Sequence, residues 1–307
     1  MDLKLLLIGK QMSSSVISSK TINGSKDHLV KGILFSFITL LSFSVMAISV
    51  THVKSVYDFK FIVFSRGIIG TSICLISMLL NKIPMRSNKY VFSRAIFGLI
   101  GISIYFRNLQ NISPSEATFL NNLSPIIVFL LFHYYYKENL RRLTLWGILL
   151  LIFSSLVFLS SKTSLNYVDT NYFIGVAGAI FGGLAFVSLK KGMSNSNSLS
   201  MLLIQNIFLS VSLFPFLNFD FFNSIALNSE TFTVLLISLL SFLGHFSMTK
   251  AYTYLSASVS SALIGTLPII VYIIELIFFN AELVVLNLSV FLMMLVGITL
   301  ISLGKNS

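Results

Sequence analysis

Residues 113–128 read SPSEATFLNNLSPIIV and residues 256–271 read SASVSSALIGTLPIIV, the same frame returning 143 residues later without a gap. Ser113, Ser115, Leu120, Pro125, Ile126, Ile127 and Val128 recur as Ser256, Ser258, Leu263, Pro268, Ile269, Ile270 and Val271. The register extends beyond these windows. Gly32, Leu41, Phe43 and Gly101 match Gly175, Leu184, Phe186 and Gly244, and Arg107 becomes Lys250. A repeat of this length divides the chain into two tandem halves, residues 29–161 and 172–304, behind a leading segment, residues 1–28.

Composition says what solvent those halves occupy. Hydrophobic residues make up 55% of the chain and charged residues only 10%, with a mean hydropathy of +0.90, whereas soluble domains are about a quarter charged. The chain is therefore expected to be an integral membrane protein. Its 29 Phe and 11 Tyr suit lipid-facing helices and interface belts. The net charge of +11 would suggest nucleic acid in a soluble chain, but here the charges lie in loops and carry topology, so nucleic acid is not an expected partner. The single cysteine, Cys74, sits in an apolar run and allows neither an intramolecular disulfide nor a cysteine metal cluster.

A bilayer core about 30 Å thick needs on the order of 20 apolar residues per spanning helix. Ten runs qualify. They lie at about 29–51, 59–80, 91–109, 117–136 and 143–161, then at about 172–189, 199–218, 231–250, 255–279 and 283–303. Five spans per half is an odd number, so the second copy must enter the membrane upside down. The predicted fold class is an all-α integral membrane protein with ten transmembrane helices as two inverted five-helix repeats, the architecture of secondary transporters.

Lys and Arg accumulate in cytoplasmic loops. With the N-terminus inside, most of the 21 basic residues fall on that side, including Lys82, Arg86, Lys89, Arg94, Arg141, Arg142, Lys190 and Lys191. Lys54, Lys60, Arg107 and Lys162 fall opposite, with Asp58, Glu116, Asp169, Asp220, Glu230 and Glu282. Both termini are expected in the cytoplasm, and residues 1–28, polar except for Leu5-Leu6-Leu7-Ile8, form a flexible tail whose apolar run is too short for a secretory signal. The absence of a targeting segment points to a bacterial inner membrane. Loops this short leave no room for a soluble catalytic domain, so any function belongs to the helix bundle.

The residues also carry a family resemblance. Arg94-Ala95-Ile96-Phe97-Gly98, Tyr105-Phe106, Ser113 to Thr118, and Leu123-Ser124-Pro125-Ile126-Ile127 running to Lys137-Glu138-Asn139-Leu140 resemble the EamA-type repeat of the drug/metabolite transporter superfamily. The second copy keeps Tyr252, Ser256-Ala257-Ser258, Leu267-Pro268-Ile269 and Ala281-Glu282-Leu283, and Phe64-Ser65-Arg66-Gly67 resembles the aromatic-x-Arg signature of the second helix. Three departures stand out. Leu209 occupies the repeat position of Arg66, Glu282 falls one place after a strict copy of Glu138, and Leu41 and Leu184 lie where the family usually places Trp. The Arg94 to Pro125 stretch is most similar to the branch that includes S-adenosylmethionine uptake carriers.

Several residues are candidates for chemistry. A proline removes a backbone donor and bends a helix, and freed carbonyls are tolerated in a membrane where they line a cavity. Pro125 and Pro268 therefore predict paired kinked helices around a central cavity, although proline is also common in membrane helices without such a role. Beside them, Asn121, Asn122, Ser124 and Thr266 offer hydrogen bonds to a polar solute, or equally between helices. Tyr105 and the mid-span His245 complete the candidate cavity set. Arg66 and Glu275 are charges inside spans, where they face cavities or partners or reach to the interface. Their similar depths permit an ion pair, with Arg66 as a structural or anion contact and Glu275 as a proton-coupling carboxylate. His133 lies beside Tyr134-Tyr135-Tyr136 and reads as part of an interface belt.

No phosphate-binding glycine loop, metal-ligand cluster or nucleophile with a positioned base is visible, so no catalytic residues, metal or cofactor are expected. Gly175, Gly178, Gly182 and Gly183 form a small-residue packing face. The sequence thus points to a secondary transporter of a small polar or amphipathic metabolite, with S-adenosylmethionine uptake as the named case. Export of amino acids or drug-like compounds is the alternative, and a membrane-embedded enzyme or structural protein is the rival from another class. The expected partners are the substrate and the bilayer, and a homodimer stays open.

Overall fold

Apolar runs punctuated by asparagine start the helices. Asn88, Asn197 and Asn228 each turn an extended backbone into a helix and accept a hydrogen bond from an otherwise orphaned amide: Tyr90 and Val91, Ser200, and Thr231 respectively. The structure, a computed structural model, describes residues 3–124, 126–128, 130–131, 142–164, 167–192, 196–217, 228–255, 260 and 263–306; of these, it gives only the backbone for 3–27, 162–164, 167–168, 190, 302 and 304–306.

In chain order the helices are α1 (Leu3–Val53), α2 (Phe59–Leu80), α3 (Lys89–Asn111), α4 (Pro114–Asn121), α5 (Arg142–Lys162), α6 (Thr170–Gly192), α7 (Ser198–Leu213), α8 (Ser229–Tyr254), α9 (Leu267–Phe278) and α10 (Val285–Asn306). Two-residue strands, β1 (Thr163–Ser164) and β2 (Tyr167–Val168), pair antiparallel between α5 and α6. Among the described residues, seven helices are long and apolar enough to cross a membrane, including His28–Val53 within α1, and Leu267–Phe278 and Val285–Ile301 are shorter apolar helices. The helical backbone of α1 continues back to Leu3, through the stretch expected as a tail.

The fourth and ninth expected spans are interrupted where the sequence places its paired prolines. α4 ends at Asn121 and is followed by a turn at Asn122 and Leu123, after which Ser124, Ile126 to Val128, Leu130 and Leu131 are again helical. The second half turns at Gly265 and Thr266 before α9 begins at Leu267, so the two turns fall at repeat-equivalent positions. Short i to i+3 bonds are equivalent as well. Leu123 N donates to Leu120 O and Thr266 N to Leu263 O, both at 3.1 Å. The cause is local: a proline cannot donate to the carbonyl four residues back, and its ring crowds that carbonyl.

The helix contacts follow a twofold pattern. α1 packs against α8 and α3 against α6; α2, α4 and α5 pack against α7, α9 and α10; α2 also meets α8, and α3 meets α7. Exchanging each helix for the one five places on returns the same set. α3 approaches α6 closely because both present glycine: a β-carbon on Gly101 would lie 3.1 Å from Gly182 N. Two main apolar clusters result. One joins α1, α2, α3, α7, α8 and α9 through residues such as Met46, Ile62, Phe106 and Ile237, and the other joins α4, α5, α6, α9 and α10 through Phe119, Phe158, Tyr272 and Phe291.

Many large apolar side chains face outward. On α5 Trp146, Leu149, Phe153 and Leu156 are exposed, one helical face, while Ile148, Leu151 and Phe158 point inward. Such a surface would aggregate in water and is the face a bilayer covers. The protein is an all-helical integral membrane protein with several spans.

Candidate functional site

The helices enclose a central cavity of about 110 Å³. Its polar lining comes from five helices and the turn after one of them: Arg66 on α2, Arg94 and Tyr105 on α3, Asn121 at the end of α4 with Asn122 and Ser124 just beyond, Gln205 on α7, and Ser241 and His245 on α8. Phe43, Phe106 and Phe186 supply much of the apolar wall. Five of the residues expected at the cavity, Tyr105, Asn121, Asn122, Ser124 and His245, line it together with the charge candidate Arg66. Thr266 and Pro268 are not part of the lining, although their neighbours Ile264 and Leu267 are. Thr266 turns its hydroxyl back onto Leu263 O at 2.8 Å, which caps the turn. Pro125 and His133 lie outside the described residues. Asn121 and Ile264, each four residues before a proline that cannot donate to their carbonyls, both line the cavity.

Many of these polar groups have no partner. Among the described residues, Arg66 Nε, Arg94 Nη1, Asn122 Nδ2, Gln205 Oε1, Ser241 Oγ and His245 Nδ1 are buried without a hydrogen bond. Native interiors satisfy most such atoms, so a cluster of exceptions around one cavity marks a place built for something else to bind. The Arg66 guanidinium stands 5.8 Å from the Phe106 ring centre, and His245 meets Phe43 edge-on at 5.0 Å. Tyr105 is already engaged. Thr118 donates its one hydroxyl proton to Pro114 O at 2.6 Å, so in the 3.1 Å contact between the two hydroxyls Tyr105 is the donor.

Glu275 belongs to a different place, and the ion pair with Arg66 that similar depths allowed does not form. A second cavity, about 360 Å³, lies between α1, the N-terminus of α4, α9 and the approach to α10. There Glu275 Oε1 accepts a bond from Ser115 N at 3.2 Å, the carboxylate resting on the first turn of α4, where orphaned amides and the helix dipole favour negative charge. A helix end thus does the work expected of arginine. Glu116, expected in an outer loop, is buried against the same cavity and accepts a bond from the Tyr172 hydroxyl at 2.9 Å. Replacing Tyr172 with Phe removes that donor from a buried carboxyl group. The expected loss is about 2 kcal/mol, measurable as a lower thermal midpoint of the purified protein.

The sequence did not reveal three central residues. As a basic residue near a span end, Arg94 reads as a cytoplasmic topology residue, but Asn88 starts α3 early enough to carry it into the second turn, where it is 3% exposed. Gln205 and Ser241 are polar residues on otherwise apolar stretches of α7 and α8. That contrast was the available signal, and only packing shows which side of the helix they occupy.

The fold is that of a multi-pass membrane protein, and the family match makes it a transporter rather than an enzyme. The chain belongs to the EamA-like transporter family, whose profile matches residues 30–160 and again residues 170–303. Among curated relatives it is similar to the pseudopaline exporter CntI of Pseudomonas aeruginosa, 23% identical over 237 residues that cover 76% of this chain and 82% of the relative. An uncharacterized transporter of Haemophilus influenzae is 25% identical over 207 residues, covering 64% of this chain and 67% of that one. A crystal structure with 16% identity superposes with a TM-score of 0.64 over 88% of this chain and 94% of its own, a likeness of fold.

Proposed function

We propose that the protein moves a small metabolite through the central cavity by alternating access, as a ten-span transporter of two inverted halves, residues 29–161 and 172–304, in a bacterial inner membrane with both termini cytoplasmic. The observation that carries this reading is the cavity itself, ringed by unpaired polar groups drawn from both halves. Seven long apolar helices, two shorter ones and the broken segment around Pro125 supply the spans. Support for inversion comes from α4 and α9. The start of α4 borders the second cavity and its end the central one, whereas α9 begins at the central cavity and ends at the second, so the segment before the break of one span and the segment after the break of its counterpart run in opposite directions.

The direction of transport is open to test from both sides. An exporter among the relatives supports outward movement, while the resemblance to S-adenosylmethionine carriers supports uptake. Counterflow in proteoliposomes, with S-adenosylmethionine, amino acids and drug-like cations as labelled substrates, distinguishes them; folded protein that moves none of these would overturn the reading. Glu275 is the proposed coupling carboxylate, because it shares the second cavity with Glu116 and accepts a bond from the first turn of α4. Glu275→Gln is expected to lose the acceleration that a pH gradient gives to flux. Undiminished acceleration would assign coupling elsewhere.

A further inference from the structure

Two arginines facing one membrane-embedded cavity, with no carboxylate beside them, need an account. Arg66 and Arg94 are each 3% exposed, lie on neighbouring helices and line the same cavity. His245 lines it as well. Among the described residues, no aspartate or glutamate lines the cavity, and the only ion pair is the surface contact of Lys60 with Asp58 at 3.4 Å. One guanidinium nitrogen of each arginine has no hydrogen-bond partner.

Burying a charge without a counter-ion is among the costlier things a fold can do, and within a bilayer such charges mark ligand pathways. A structural arginine would have acquired a carboxylate or several carbonyl acceptors. Among the described residues, neither has a carboxylate partner, and Arg66 has the Phe106 ring face beside it. A ligand can supply the counter-charge.

We propose that the cavity is an anion site in which Arg66 and Arg94 together hold the carboxylate of a small organic substrate. A planar guanidinium matches a carboxylate in geometry as well as charge. Asn122 Nδ2 adds an unpaired donor in the same cavity. The walls choose the rest of the molecule: Phe43, Phe106 and Phe186 suit an apolar or aromatic body and disfavour a fully hydrated ion such as inorganic phosphate. This assignment rests on the central cavity being the transport site. It narrows the substrate class from polar metabolites to carboxylates, and it gives Arg94 a role that its sequence position does not suggest.

The test compares matched pairs that differ only in charge: L-leucine, L-methionine, L-phenylalanine and succinate, each against its amide. Binding is read as the ligand-induced shift in thermal midpoint of the purified full-length protein, and transport as counterflow in proteoliposomes. At least one carboxylate is expected to stabilise the protein while its amide does not, with affinity reduced about tenfold or more by Arg66→Met or Arg94→Met. Arg66→Lys and Arg94→Lys, which keep the charge and lose the fork, should recover part of the binding. Without ligand, the two Met variants should melt at or above the wild-type midpoint, since each removes an uncompensated charge; a structural arginine would give a lower one.

If amides stabilise as well as carboxylates, if no carboxylate stabilises at all, or if the Met variants bind unchanged, the anion site is wrong, even with flux intact. Carboxylate binding without counterflow leaves the anion site standing and removes the transport reading. The two conclusions therefore fail separately.

Discussion

Replacing Gly147 with leucine is expected to separate α5 from α10 and to cost the protein about 3 kcal/mol or more, read as a large fall in thermal midpoint or loss of the monodisperse species in detergent. A β-carbon on Gly147 would lie 2.6 Å from Gly297 O and 2.8 Å from Ile301 N, and one on Gly297 would lie 3.0 Å from Gly147 O. Both obstacles are backbone, so no rotamer change relieves them. Helices within lipid gain nothing from leaving water and hold together by close packing, which makes a small-residue crossing hard to replace. This crossing also positions Leu151, Phe158, Phe291, Met294 and Ile298, the centre of the second apolar cluster. Gly147→Ala should give a smaller loss of the same sign. An unchanged midpoint for the leucine variant would show that the two helices do not cross here.

Filling the central cavity is expected to abolish transport while leaving the fold intact. Ser241 is fully buried on α8, its hydroxyl has no partner, and it lines the cavity. In Ser241→Phe the ring enters that space, so the substrate loses its site, and the protein exchanges an unsatisfied hydroxyl for apolar contact with Phe43 and Phe186. Flux should fall to that of empty liposomes with a thermal midpoint equal to or above wild type. Wild-type flux in a folded variant would place the substrate route outside this cavity. The pair of outcomes differs from that of Gly147→Leu, which removes transport only by removing the fold, because neither Gly147 nor Gly297 touches the cavity.

The fold was largely legible because each rule that reveals it is local. The membrane class follows from mean hydropathy, the spans from the length of apolar runs, and the paired helix breaks from Pro125 and Pro268 in the same frame. The site was legible in part. Asn121, Asn122, Ser124, Tyr105, Arg66 and His245 are polar residues in apolar surroundings, and the structure gathers all six at one cavity. Glu275 looked like their companion because depth along a helix can be counted from sequence, whereas rotation about the bundle cannot. Arg94 looked like a loop residue because a positive charge near a span end is the usual mark of topology, and its burial depends on where Asn88 starts the helix and which face meets α7.

What the sequence by itself determined is the repeat, the apolar spans and the residues too polar for lipid. These are properties of each segment against its solvent, and one segment can be read without the others. Only the tertiary structure decided that Arg66 and Arg94 share a cavity while Glu275 rests on the first turn of α4. The choice of partner for a buried charge is made by helices far apart in the chain, through contacts that no local pattern encodes.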